Sequence, residues 1–122
     1  MPRILHLNLK RKWFDMIASG EKKEEYRDIK HYWVSRLVDG LHPEKEPTDF
    51  SFLWEGMLWS MDTAEHYDII EFRNGYAKKA PTMQVECLNI TDGFTKLKWA
   101  DSYKPTFVIK LGKILSIKNY NS

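Results

Sequence analysis

A single cysteine, Cys87, rules out an internal disulfide in this 122-residue chain. It also rules out a thiolate metal cluster, which needs several such ligands. Histidine is scarce as well, and His6, His31, His42 and His66 show no spacing that a metal site would need. No phosphate-cradling glycine loop, G-x-S-x-G elbow or H-E-x-x-H pair is present. Neither cofactor nor metal is therefore expected. The chain lacks a charged-apolar-small leader and a long apolar run, so a cytoplasmic protein away from membranes is expected. Internal repeats and low-complexity tracts are also missing.

What remains is the material of one folded domain. The length suits a modest core, and 43% hydrophobic with 14% aromatic residues argues against disorder. Five Trp, six Tyr and six Phe exceed what so small a core requires. Either some rings face a groove, or all of them fill core and satellite clusters. Cys87 sits in the apolar run from Met83 to Ile90, where a buried, inert thiol is expected.

Net charge is only +2, too little to announce nucleic-acid binding, but its distribution is uneven. Residues 1–38 carry +4, residues 39–71 carry −8, and residues 72–122 carry +6. Basic ends brought together by the fold would offer a surface to a phosphate chain. The plainer reading is three ordinary solvated faces.

Along the chain, Leu5, Leu7 and Leu9 alternate with His6 and Asn8 as in a half-buried strand. Lys10 to Ser19 gathers Trp13, Phe14, Met16 and Ile17 before Gly20, the pattern of a short helix with a left-handed glycine stop. A second strand is expected from about Lys22 to Asp28. Ile29 to Val38 reads as helical, ending at Asp39-Gly40. Phe50, Leu53, Trp54, Met57, Leu58 and Met61 trace an amphipathic helix that Thr48 or Asp49 can cap. Trp54 and Trp59 on or beside that stripe read as core. Further strands are expected at Tyr67 to Arg73, Met83 to Thr91 and Thr106 to Ile117, the last with a break at Gly112. Asn74-Gly75 and Asp92-Gly93 are turn dipeptides. The sum is an α+β domain with a curved or closed sheet.

The stretch from Gly20 to Asp28 fits none of the usual burial patterns. Seven of its nine residues are formally charged. As a strand it places Lys23, Glu25 and Arg27 on one face and Lys22, Glu24, Tyr26 and Asp28 on the other. It is either a solvated loop or the lining of a polar cleft.

Gly20-x-Lys22-x-x-Glu25-x-Arg27 resembles the G-x-K-x-x-E-x-R signature of the ASCH domain, a branch of the PUA-like superfamily. The strand and helix before it, the run Phe72-Arg73-Asn74-Gly75-Tyr76 and the closing Phe107 to Gly112 are similar to small ASCH proteins of bacteria and their phages. The resemblance covers nearly the whole chain except a long acidic, helical insert at about 39–66. It implies a PUA-like small β-barrel of about five to six strands flanked by short helices. It further implies a cleft that binds RNA or a nucleotide-like ligand.

In that cleft Arg27 would hold a phosphate, a carboxylate or a base edge with its planar fork. Glu25, on the same strand face, would orient Arg27 or accept from an exocyclic amine. Lys22 would turn inward through a twist or bulge after Gly20. Tyr26 or a nearby Trp would stack on a base. Arg73, Asn74 and Tyr76 are secondary contacts, while Lys23, Glu24 and Asp28 become solvent charges. The alternative is a buried Glu25–Arg27 pair that only sets register.

Some bacterial ASCH proteins are amidohydrolases that remove an acyl group from acetylated cytidine, with a Thr three residues after the signature Lys and a separate Glu. Here Glu25 occupies the Thr position, and the separate Glu has no assigned counterpart. A hydrolase would then need Lys22 to polarise the amide and Glu25 to act on water. A third reading makes the acidic insert a docking element for another protein.

Overall fold

The computed structural model describes residues 2–29 and 67–120. Apart from Ile29, the helices expected in 29–38 and 50–61, with Trp54, Trp59 and the acidic insert, lie outside the described residues.

The elements run β1 (Ile4–Asn8), α1 (Arg11–Ala18), β2 (Glu24–Arg27), β3 (Ile69–Arg73), β4 (Thr82–Phe94) and β5 (Pro105–Lys118). They form a mixed five-stranded sheet in the order β1-β3-β4-β5-β2. β1 is parallel to β3, and β3 is antiparallel to β4. With one short helix among the described residues, the α+β class holds. The described residues divide into two compact units. One takes residues up to 25, 67–89 and 110 onward; the other takes 26–29 and 90–109.

In the first unit, alternation and register act together. Leu5 opposes Ile70 and Ile70 opposes Val85, while Leu7 opposes Phe72 and Phe72 opposes Met83. All six are buried. Phe14 and Ile17 of α1 join this core and are almost wholly buried. Full burial of such a side chain contributes about 1.5–3 kcal/mol. The intervening positions put His6, Glu71 and Gln84 in a polar row on the opposite face of the strands.

Near the chain's end Tyr120 clasps α1. Its ring lies 5.3 Å from that of Phe14, and its hydroxyl donates to Asp15 Oδ1 at 2.8 Å. Arg11 Nε donates to the same oxygen at 2.8 Å. The Tyr120 hydrogen bond is the main reason the Asp15 carboxyl is held below its ordinary range, and the same bond pushes the Tyr120 phenol up.

In the second unit, Thr106, Phe107, Val108 and Ile109 are buried consecutively, with Ile90 and Trp99. Thr95 closes the turn between β4 and β5: its hydroxyl donates to the Ser102 carbonyl at 2.6 Å and accepts from Lys104 N–H at 3.0 Å.

Two glycine readings are corrected. Asp92-Gly93 is not a turn but lies inside β4, and Gly112 does not break β5. Both glycines mark close approach instead. A Cβ at Gly93 would meet Val108 Cγ2 at 3.0 Å, and one at Gly112 would meet Glu86 Oε1 at 2.8 Å. The Glu86 carboxylate occupies the space at Gly112 and accepts from Lys113 N–H at 2.9 Å. Asn74-Gly75 does reverse the chain after β3, with Gly75 at φ +99°.

Candidate functional site

The site begins with the end of α1. Ser19 N–H donates to the Asp15 carbonyl and Gly20 N–H to that of Ile17, both at 3.0 Å. Gly20 has φ +85°, the left-handed conformation expected of a glycine stop. The chain then doubles back, and Lys22 N–H donates to the Met16 carbonyl at 2.9 Å. Lys22 is thus part of the helix terminus rather than of β2, which starts at Glu24. The face alternation assumed for a strand from Lys22 onward therefore does not apply to it.

This placement buries a lysine. The Lys22 and Glu25 side chains are only 1% and 6% exposed, and Lys22 Nζ donates to Glu25 Oε1 at 3.0 Å. Lys22 Nζ also lies 4.4 Å from the centre of the Trp13 ring, whose π face favours a cation. Lys12 Nζ approaches the same ring at 4.4 Å. A helix residue seven positions before the signature's Gly20 thus completes its environment. No spacing in the sequence signalled it, because the turn after Gly20, not a shared helical face, brings Lys22 to Trp13.

The other signature residues have different surroundings. Lys23 is exposed as expected, and its carbonyl accepts from Leu111 N–H at 3.0 Å. Glu24, expected as a solvent charge, is instead buried together with Glu25. The strand is covered on both faces at that point, so alternation does not select an outward side. Asp28 does stay near solvent, and Lys104 Nζ meets its Oδ1 at 2.5 Å. Tyr26 is half-buried, and its hydroxyl accepts from Lys96 N–H at 3.3 Å. Arg27 is half-buried, and its backbone carbonyl accepts from the Thr106 hydroxyl at 2.7 Å.

The late patch holds its own loop in place. Arg73 Nε donates to the Gly75 carbonyl at 3.1 Å, and another guanidinium nitrogen donates to that of Ala77. Asn74 Nδ2 donates to the Leu9 carbonyl at 2.8 Å, tying the loop to the junction between β1 and α1. Tyr76 projects from this loop 90% exposed.

Cys87 is half-buried. Desolvation, reinforced by the nearby Asp68 charge, pushes its thiol up to about 11. Among the described residues no group of His, Cys, Asp and Glu could hold a metal ion. No helix among them is long and apolar enough to cross a membrane. Comparison of the chain with protein-family models, with curated proteins and with solved structures found no match.

Proposed function

We propose that the protein is a PUA-like ASCH domain that binds RNA or a nucleotide-like ligand at its signature strand. The observation that carries this reading is the ion pair between Lys22 and Glu25, withdrawn from water beneath Trp13. Burying two charges costs several kcal/mol each, roughly, and an apolar pair of similar shape often serves stability as well or better. Ionisable groups kept in such a place are a common mark of a functional site. Glu25 and the half-buried Arg27 both belong to β2. Arg27 is assigned to the ligand's phosphate or base edge by its place in the signature, and Gly20 to the turn that delivers Lys22. Tyr26 contributes a ring, while Arg73, Asn74 and Tyr76 form a secondary contact. The setting is cytoplasmic.

Titration of Arg27→Ala with a single-stranded RNA and with nucleotides tests the reading. Severe loss of affinity in a folded protein is expected, and unchanged affinity would remove the assignment. Binding through phosphates should also weaken steeply with added salt, because each contact releases counterions.

The distance of 3.0 Å between Lys22 and Glu25 favours one second reading, amide hydrolysis of an acylated cytidine or a related modified nucleoside. Lys22 would polarise the carbonyl and Glu25 would deprotonate the attacking water. Release of free cytidine from acetylated cytidine decides it, and no turnover at high protein concentration leaves binding alone.

A further inference from the structure

We propose that a second ligand site lies in the pocket lined by His6, Leu7, Asn8, Glu71, Arg73 and Tyr76, and that it takes a small sugar phosphate. It shares no residue with Gly20 to Arg27, but it takes Arg73 and Tyr76 away from the secondary contact given to them above, so the assignment of Lys22, Glu25 and Arg27 is unaffected by its failure. The pocket measures about 150 Å³, the scale of a small phosphorylated sugar.

The polar row across β1, β3 and β4 builds it. Gln84 Nε2 donates to Glu71 Oε1 at 2.9 Å, and His6 Nδ1–H donates to Glu71 Oε2 at 2.9 Å. With a hydrogen bond on each oxygen, the carboxylate fixes the imidazole's orientation and its tautomer. In the neutral ring the proton stays on Nδ1, and Nε2 presents a lone pair. The imidazole is thereby ready to accept from a ligand hydroxyl. The neighbouring backbone is held as well, since Asn8 Nδ2 donates to the Gly75 carbonyl at 3.2 Å.

Arg73 supplies the complementary group. Two of its nitrogens are anchored on the carbonyls of Gly75 and Ala77, which fixes the guanidinium plane at the pocket wall. A guanidinium carries five N–H donors, so this anchoring leaves donors for an anion. At the rim, exposed Tyr76 offers a ring face to the apolar side of a sugar. A hydroxyl acceptor, an anion donor and an aromatic rim together match a sugar hydroxyl near a phosphate.

Ribose 5-phosphate is the probe, read through the imidazole nitrogen resonances of His6, with the Trp13 indole resonance as a control for the signature region. Saturable shifts at His6 without shifts at Trp13 are expected. Ribose alone and inorganic phosphate alone should each bind about three- to tenfold more weakly, the scale of one lost hydrogen bond. His6→Gln should weaken binding by a similar factor. Glu71→Gln should move His6 away from its single Nδ1–H tautomer, a change that a merely structural role for Glu71 in strand pairing would not produce. An unmoved His6 resonance overturns the proposal, and so does inorganic phosphate binding as tightly as the sugar phosphate.

Discussion

Two ion pairs involve the same charged stretch and differ in nearly everything but chemistry. Lys22 and Glu25 meet at 3.0 Å with side chains 1% and 6% exposed. Lys104 and Asp28 meet at 2.5 Å with side chains 46% and 39% exposed. By distance alone the second pair would rank as the stronger. By environment the order reverses, because water screens the exposed pair and competes for its hydrogen bonds. Breaking the buried pair removes an opposite charge from a group kept away from water, which costs far more than the same loss at the surface. Distance between charges is thus a poor guide to consequence unless the solvent around them is considered.

Lys22→Met should produce the largest effect. It leaves Glu25 buried without its lysine and should cost about 3–5 kcal/mol in denaturant unfolding. Combining Lys22→Met with Glu25→Leu should recover most of that loss, since an apolar pair of similar volume is often neutral or stabilising. A double variant as unstable as the single one would break the comparison. Gly20→Ala should cost about 1–2 kcal/mol, because φ +85° strains any residue with a Cβ. Among the described residues its added Cβ would meet only Lys23 Nζ, at 3.9 Å, an ordinary contact, so the loss is expected from the backbone. At the exposed pair, Lys104→Ala should change stability by about 0–1 kcal/mol, and high salt should shrink even that. A loss there matching Lys22→Met would overturn the role given to solvent.

Two titrations extend the same contrast between burial and exposure. The Cys87 thiol, raised from 9.0 to about 11, should react slowly with a thiol reagent at neutral pH and gain speed only as the pH climbs toward 11. Its folded pKa lies above the unfolded one, so the folded state holds the proton longer. Cys87 should therefore reduce stability as pH rises from about 9 to about 11. Asp15 shifts the other way. Its folded carboxyl lies below 3.8, so its contribution is present above that value and is lost as pH falls through the lowered pKa. Tyr120→Phe should move the Asp15 titration, followed by carboxyl carbon resonances, back toward 3.8.

How much was legible in the chain differed by element. Leu5, Leu7 and Leu9 announced β1 because a strand with one dry face must alternate. Gly20 announced the end of α1 because few other residues tolerate its backbone. Alternation failed for Glu24 and Glu25, which are buried next to each other. Alternation did not govern Lys22 either, since period two holds only inside a strand; Lys22 is carried inward by the turn after Gly20, in line with the inward twist expected there. Asp92-Gly93 misled for a related reason: a turn dipeptide states what the backbone tolerates, and the long pairing of β4 imposed an extended conformation. The row of His6, Glu71 and Gln84 was invisible, because its members lie 65 and 13 positions apart and only strand register aligns them.

By itself, then, the sequence of residues 10–28 determined that the charged stretch would follow a helix stopped at Gly20. It also determined that seven charges would need an explanation beyond ordinary core burial. Which charges meet was decided by tertiary structure. The turn after Gly20 brings Lys22 back to the Met16 carbonyl, Trp13 closes over its ammonium, and Glu25 meets it there. Local sequence sets backbone preference, while a buried charge is stabilised only by partners that the fold carries to it.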